Sequence, residues 1–224
     1  MHTVIFDLDG TLAETSGDLI AAANTCFRGL GYGDLLDPQS DASTAYHGAR
    51  AMLALGFERL NVSDAAAQID AQFPVLLAAY AENIDVYTRL YDGVTEAVEA
   101  LKRDGYAVGI CTNKPAGLAE TLLQRLGVRG LFDSMVGADT LPVRKPDPAP
   151  YRAAVELAGG DVSKSYLVGD TITDRKTAAA AGVPCALVSF GPEGSLVQEM
   201  KPEALLAHYR DLGRVTRELI GAPQ

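Results

Sequence analysis

Two carboxylates near the start of the chain are the first residues whose type and spacing point to chemistry. Asp7 and Asp9 lie in the segment 7–11, which reads DLDGT and directly follows the apolar run 3–6. Side chains two residues apart in an extended segment point the same way, so both carboxylates face one site. Two close carboxylates require a cation or a shared proton. The alternative is a turn after an edge strand, but two uncompensated carboxylates at the end of an apolar strand would be costly.

Two further polar segments offer groups that could bind an anion. Thr112 and Asn113 supply a hydroxyl group and exposed backbone N–H groups after an apolar run. Lys145 lies in a loop stiffened by Pro146 and Pro148, which could hold its ammonium group in place. The alternatives are that Thr112 caps a turn and that Lys145 is a solvated surface lysine.

A last pair of carboxylates, Asp170 and Asp174, lies at a predicted strand-to-helix turn. Acidic side chains at such a turn can complete the oxygen-ligand cage that Mg²⁺ prefers. An N-cap role is the alternative for Asp174. Since open α/β sheets place ligand sites just beyond the ends of their strands, all of these polar segments share one expected location.

The elements that must position these residues alternate between strands and helices, which predicts an α/β fold with a Rossmann-like parallel sheet. Apolar spacing predicts one helix through Val94 and Leu101 and another from Leu118 to Leu126, with Gly127 at its C-terminal cap. Further helices are predicted at about 147–158 and 174–181. Strands are predicted at 3–6, 106–111, 134–136, 165–168 and 185–190.

The stretch 15–87 interrupts this alternation because it has helical periodicity and no convincing strand. We therefore predict a helical domain at 15–87, inserted after the first strand of a core made of 1–14 and 88–224. Pro74 falls inside a helical pattern, so a kink or a break between two helices is expected there. The segment 202–220 is predicted to form one or two helices on the outside of the sheet.

Composition limits the possible partners of this 224-residue chain. A formal net charge of −10 repels nucleic acid, and 48% hydrophobic with 21% charged residues is ordinary for a globular protein. The longest nearly apolar stretch, 178–188, is too short for a membrane span and contains Gly182 and Pro184. Three scattered cysteines suit reduced thiols. We expect a cytoplasmic protein, a monomer or a homodimer, with no membrane or nucleic-acid partner.

The four polar segments, in this order and spacing, resemble the four motifs of the haloacid dehalogenase-like hydrolase superfamily. They read DLDGTL at 7–12, TNK at 112–114, KPDP at 145–148 and GDTITD at 169–174. The helical insertion is similar to the small all-α cap domain of that superfamily, and the subgroup that the chain resembles is the phosphoglycolate phosphatases. The resemblance implies a Mg²⁺-dependent phosphatase that acts on a small phosphorylated metabolite, with 2-phosphoglycolate as the leading substrate.

The resemblance also implies a role for each matching residue. Asp7 is the nucleophile that forms an aspartyl-phosphate, and Asp9 is the general acid and then the general base. Thr112 and Lys145, with Asn113, bind the phosphoryl group and offset its charge. The implied Mg²⁺ ligands are Asp7, the backbone carbonyl of Asp9, Asp170 and Asp174, the last of them acting directly or through another ligand.

In this superfamily the cap selects the leaving group. The segment 46–50 is the candidate, with His47 and Arg50 as substrate-binding residues, since Arg50 could pair with a substrate carboxylate. The alternative is that His47 ends a helix and that Arg50 is solvated.

Five functions compete at this point. A phosphatase comes first, and a phosphosugar mutase similar to β-phosphoglucomutase, or a pyrophosphatase, would use the same core. A haloacid dehalogenase is disfavoured because related enzymes lack the second acidic residue of the first motif, whereas Asp9 is present. A catalytically inactive phosphate-binding regulator is disfavoured because all of the expected catalytic positions are filled.

Overall fold

A computed structural model describes residues 1–223 and divides the chain into two compact units. The core unit consists of Met1–Ala13 together with the residues from Leu90 onward, and the helical unit is Glu14–Arg89. Among the helices of residues 1–223, none combines the length and apolarity that a membrane span requires.

Eight strands occur in the described residues, and six of them form the sheet of the core unit in the order β5-β4-β1-β6-β7-β8. Every neighbouring pair of this sheet is parallel. The two remaining strands, β2 and β3, pair with each other. The strands are β1 (Thr3–Phe6), β2 (Ala13–Glu14), β3 (Arg89–Leu90), β4 (Ala107–Cys111), β5 (Ser134–Val136), β6 (Ser165–Gly169), β7 (Cys185–Val188) and β8 (Ala204–Leu206).

Strand β1 is the centre of the sheet. Its residues pair in register with 107–110 of β4 on one side and with 165–168 of β6 on the other. All four residues of β1 are buried, which is typical of a parallel strand covered on both faces. The parallel α/β sheet that the sequence predicts is therefore confirmed.

Helices of the core unit cover both faces of the sheet. Ile5 of β1 and Leu167 of β6 pack with Tyr151 and Ala178 in one apolar cluster. The preceding residue of β6, Tyr166, is hydrogen-bonded through its hydroxyl to Thr216 at 2.7 Å. The helices of this unit are α5 (Val94–Arg103), α6 (Ala116–Arg125), α7 (Pro148–Leu157), α8 (Ile172–Ala181) and α9 (Leu212–Ile220). The first four helices of the chain belong to the helical unit.

The helical unit is built from α1 (Ser16–Gly29), α2 (Ala42–Ala45), α3 (Ala49–Arg59) and α4 (Ala65–Glu82). Phe27 of α1 meets Phe57 of α3 edge to face, with 5.4 Å between the ring centroids. Aromatic pairs in this arrangement add stability beyond the area that they bury. The Asn24 side chain also accepts the backbone N–H of Leu36 at 3.0 Å and donates to its carbonyl oxygen at 2.8 Å, which ties the loop after α1 to that helix.

One prediction about secondary structure is wrong, and of the two alternatives predicted at Pro74 the break does not occur. Helix α4 continues through Pro74 without a break, because Leu76 and Tyr80 beyond the proline are buried and hold the second half of the helix in place. Leu205 and Leu206 belong to strand β8 instead of a helix, because this segment pairs with the open edge of β7. The helical prediction for the rest of the C-terminal segment is confirmed from Leu212 to Ile220.

Candidate active site

The polar residues that the sequence singles out in the core unit follow three adjacent strands. Asp7, Thr112 and Asp170 come directly after β1, β4 and β6. From β1 the chain builds the sheet outwards through β4 and β5, and then returns to the other side of β1 with β6. This reversal of strand order creates a crevice at the carboxyl ends of the strands, where α/β proteins bind their ligands.

A tight loop follows β1 and fixes the direction of Asp7. The backbone N–H groups of Leu12 and Ala13 both donate to the carbonyl oxygen of Leu8, at 2.9 and 3.1 Å. Gly10 has a φ of +78°, a conformation that side chains with a Cβ rarely adopt. The Leu8 N–H donates to Oδ1 of Asp7 at 2.7 Å, so the carboxylate is held by the loop that it begins.

Lys145 connects two of the carboxylates. Its Nζ lies 3.0 Å from Oδ1 of Asp7 and 2.6 Å from Oδ1 of Asp174, and the side chain is buried. Burial alone would lower the pKa of Lys145, but the charges of Asp174 and Asp7 outweigh it and hold the pKa above its usual value. The Asn113 side chain donates to the backbone carbonyl of Lys145 at 3.0 Å, which joins the loop after β4 to the lysine loop.

Three carboxylates form a cluster around this lysine. One oxygen from each of Asp7, Asp170 and Asp174 lies within 4.8 Å of the others. Burial raises the pKa of Asp7 to about 6, and the charges of Asp174 and Asp9 add to this rise against the lowering effect of Lys145. Burial also raises the pKa of Asp170 well above its usual range, with Asp174 and Asp7 contributing. One lysine therefore does not compensate the charge of three carboxylates, and a bound proton or a further cation would complete the compensation.

The hydrogen bonds of the cluster distinguish its members. Oδ2 of Asp174 accepts both the hydroxyl and the backbone N–H of Thr171, at 2.8 and 3.1 Å, while its Oδ1 accepts from Lys145. Oδ1 of Asp170 accepts the hydroxyl of Thr11 at 2.8 Å. Oδ2 of Asp170 is buried and has no hydrogen-bond partner in the described part of the chain. A buried carboxylate oxygen without a donor fits a hard divalent cation such as Mg²⁺.

Close packing leaves little freedom in this cluster. A Cβ on Gly169 would lie 2.4 Å from Cγ of Asp174, so only glycine allows the end of β6 to approach that carboxylate. The N-cap that the sequence offers as an alternative for Asp174 is occupied by Thr171, and Asp174 lies in the first turn of α8.

Asp9 lies beside this cluster but its carboxylate has a different partner. Oδ1 of Asp9 accepts a hydrogen bond from Nζ of Lys114 at 2.8 Å. Thr112, which is buried, accepts the backbone N–H of Lys114 on its Oγ1 at 3.1 Å. The structure thus separates the two carboxylates of the first motif, since Asp7 pairs with Lys145 and Asp9 pairs with Lys114.

The two residues predicted to bind substrate from the cap lie in the helical unit. Arg50 is exposed, with its Nη1 at 2.7 Å from Oδ1 of Asp70 and its guanidinium at 4.6 Å from the centroid of the Phe73 ring. His47 is exposed and precedes Gly48, which has a φ of +94° at the start of α3. The carboxylate that Arg50 contacts within this unit is therefore Asp70.

Three residues of the site are not assigned a role from the sequence. Lys114 is the last residue of the motif TNK at 112–114, and its place just after β4 is the sequence feature that points to the site. Thr11 also lies in a motif, but its contact with Asp170 joins residues 159 positions apart. Tyr209 donates its hydroxyl to the backbone carbonyl of Thr11 at 2.7 Å, and nothing in the sequence around Tyr209 indicates this contact.

The model of the haloacid dehalogenase-like hydrolase family matches residues 4–188, which include every strand of the site. The chain belongs to the haloacid dehalogenase-like hydrolases. Among its relatives in this family is a phosphoglycolate phosphatase from Mesorhizobium japonicum, 36% identical over 208 residues that cover 92% of this chain and 90% of the relative. Another phosphoglycolate phosphatase, from Rhodospirillum rubrum, is 37% identical over 99% of this chain and 91% of its own length.

Solved structures agree with this membership of the haloacid dehalogenase-like hydrolases. A crystal structure from Haemophilus somnus, described as that of a predicted phosphoglycolate phosphatase, has a TM-score of 0.83 and 25% sequence identity. The similarity covers 96% of this chain and 98% of that one. The six-stranded core and the helical unit are therefore both within the region of similarity.

Proposed function

We propose that this chain is a Mg²⁺-dependent phosphatase that hydrolyses a small phosphate monoester, with 2-phosphoglycolate as the substrate, through an aspartyl-phosphate on Asp7. The observation that carries the proposal is the convergence of Asp7, Asp170 and Asp174 on one point, with Lys145 at 3.0 Å from Asp7. Family membership supports the reaction class, and the phosphoglycolate phosphatases among the relatives support the substrate.

Mg²⁺ would be held by Asp7, Asp170 and the backbone carbonyl of Asp9, with Asp174 completing the acidic environment. The residues fit such an ion because Oδ2 of Asp170 is buried without a donor in residues 1–223 and the pKa of both Asp7 and Asp170 is raised. When bound, the ion supplies positive charge that offsets the negative charge of the phosphoryl group.

Asp7 is the nucleophile in this proposal. Its Oδ1 accepts from Leu8 and faces Lys145, so we assign the attack on phosphorus to Oδ2. A bond forms between this oxygen and phosphorus as the bond from phosphorus to the leaving group breaks. Lys145 and Thr112 bind the phosphoryl oxygens, and the ammonium group of Lys145 offsets charge that develops during the transfer.

Asp9 moves the protons. It donates a proton to the departing oxygen of the substrate in the first step and becomes a carboxylate. In the second step it accepts a proton from the water that attacks phosphorus, which releases inorganic phosphate and regenerates Asp7. The different lysine partners of Asp7 and Asp9 support this division of roles, because two carboxylates with different roles require different environments.

Phosphate release with Mg²⁺ from a panel of esters tests the proposal. The panel holds 2-phosphoglycolate, several sugar phosphates, a nucleoside monophosphate and pyrophosphate, and the Asp7→Asn variant is the blank. We expect a strong preference for 2-phosphoglycolate that vanishes in the blank. Equal release from every ester would remove the assigned substrate, and isomerisation of a phosphosugar without phosphate release would replace the phosphatase by a mutase.

A further inference from the structure

Lys114 is a buried cation in the core unit that the proposed mechanism does not use. Only 3% of its side chain is exposed, and its Nζ lies 2.8 Å from Oδ1 of Asp9. Asp9 itself is 21% exposed along its side chain, so the carboxylate of this ion pair is more accessible to solvent than the lysine. A hydrogen bond between charged groups is shorter and stronger than one between neutral groups.

The backbone of Lys114 is held on both sides. Its N–H donates to Oγ1 of Thr112 at 3.1 Å, and its carbonyl oxygen accepts the N–H of Ala138 at 2.9 Å. The neighbouring Asn113 side chain donates to the backbone carbonyl of Lys145 at 3.0 Å. These bonds fix the position from which the lysine side chain reaches Asp9.

We infer that Lys114 is a positioning residue for Asp9, which holds one carboxylate oxygen so that the other is directed at the departing oxygen of the substrate. Oδ1 of Asp9 is the oxygen that accepts the hydrogen bond from Lys114. The proton that Asp9 transfers is therefore carried by Oδ2. This inference rests on the proposed function, because it assigns Lys114 to the proton transfer of that mechanism.

The chemistry predicts a selective defect. In the first step the bond from phosphorus to the leaving oxygen breaks, and Oδ2 of Asp9 gives its proton to that oxygen. An alkyl phosphate depends on this proton because an alkoxide is a poor leaving group, whereas 4-nitrophenolate departs without one at neutral pH. Loss of the positioning residue must therefore slow the first step much more for an alkyl phosphate than for 4-nitrophenyl phosphate, whereas the second step, in which Asp9 accepts a proton from water, is the same for both esters.

The experiment compares kcat and KM for 2-phosphoglycolate and 4-nitrophenyl phosphate, with Mg²⁺ present, in four proteins. They are the wild type, Lys114→Met, Lys114→Gln and the control Lys102→Met. The glutamine keeps a side-chain donor without the charge. The control removes a lysine that pairs with Asp133 at 2.6 Å, away from the motif residues in sequence. Thermal unfolding and circular dichroism report whether each variant is folded.

For Lys114→Met we expect kcat/KM, which depends only on the steps up to departure of the leaving group, to fall about 100-fold for 2-phosphoglycolate and to stay within about threefold of the wild type for 4-nitrophenyl phosphate. Lys114→Gln should retain more activity on 2-phosphoglycolate than Lys114→Met, and Lys102→Met should resemble the wild type. Equal losses of kcat/KM on both esters would overturn the inference. If Lys114→Met does not fold, the same comparison of the two esters in Lys114→Gln decides it.

A double variant separates the inference from the proposed function. If Lys114 acts through Asp9, adding Lys114→Met to Asp9→Asn should produce little further loss on 2-phosphoglycolate. Additive losses would show that Lys114 acts independently of Asp9 and would overturn the inference alone. Failure of the wild type to hydrolyse either ester would instead overturn the proposed function, and the inference with it.

Discussion

The hydroxyl group of Thr11 donates a 2.8 Å hydrogen bond to Oδ1 of Asp170, although the two residues are 159 positions apart. Both side chains are fully buried. The bond orients the Asp170 carboxylate so that its second oxygen, which lacks a donor within residues 1–223, is left for a cation.

Replacing Thr11 by Val should weaken Mg²⁺ binding. The variant keeps the shape of the side chain but removes the hydroxyl that orients Asp170, and loss of such an orienting bond typically costs about 10- to 100-fold in metal affinity. Calorimetric titration with Mg²⁺ measures the change. Thr121→Val is the matched control, because its hydroxyl bonds only to the Gly117 carbonyl in α6. An unchanged Mg²⁺ affinity in Thr11→Val would contradict the prediction.

Replacing Lys145 by Met should abolish phosphate release and destabilise the core unit. The substitution leaves Asp7 and Asp174 without the ammonium group that lies 3.0 and 2.6 Å from them. Breaking a buried ion pair by removing one partner costs about 3–5 kcal/mol. Urea unfolding without Mg²⁺ measures this loss, and a free energy of unfolding equal to that of the wild type would contradict it.

Replacing Asp41 by Asn should destabilise the helical unit in a pH-dependent way. Both oxygens of this buried carboxylate accept from Arg59, at 2.6 and 2.8 Å, and the guanidinium lowers the pKa of Asp41. A lowered pKa means that the contribution is complete above the unfolded value of about 3.9 and is lost as the pH falls through the folded pKa. We expect a loss of about 1–3 kcal/mol at neutral pH.

Urea unfolding at several pH values checks the Asp41 prediction. The difference between wild type and Asp41→Asn should shrink as the solution becomes acidic. Asp34→Asn is the control, because its pair with Arg28 is more than half exposed on both sides and should contribute little. If the difference in free energy of unfolding between wild type and Asp41→Asn stays constant from neutral pH into acid, the stabilisation by Asp41 does not come from its charge.

Replacing Arg50 by Ala should raise KM for 2-phosphoglycolate by about tenfold, the value of one lost charge-assisted hydrogen bond. KM for a phosphate ester without a carboxylate should change much less. The expectation follows from a guanidinium that pairs at 2.7 Å with the exposed Asp70, a carboxylate that a substrate carboxylate could replace. Steady-state kinetics on both esters provide the test, and equal changes in KM would exclude this role for Arg50.

The strands and site motifs of the core were predictable because their signals are local. A short run of strand-forming residues such as β1 is evident from the sequence, and three of the four motifs begin where a strand ends. The exception is 145–148, which lies in the loop between β5 and α7. Strand β8 was missed because three residues are too few to show a period, and its conformation depends on the open edge of β7. Local sequence carries no information about that edge.

The absence of a break at Pro74 in α4 has an energetic reason. Proline inside a helix costs about 3 kcal/mol, which favours a break when the helix is considered alone. Burial of Leu76 and Tyr80 on the turns that follow supplies a comparable stabilisation, and only the folded helical unit reveals it. The pairing of Lys114 with Asp9 was equally hidden, since it joins loops after two different strands.

The central position of β1 in the sheet has a consequence for the order of events during synthesis. This strand leaves the ribosome early, yet its neighbours are 107–110 and 165–168. The nascent chain therefore carries Asp9 without its lysine partner until Lys114 has been translated, and Asp7 without its partner until Lys145 has been translated. All three carboxylates of the acidic cluster are present only after Asp174 has been added, by which point both strands that flank β1 have been translated.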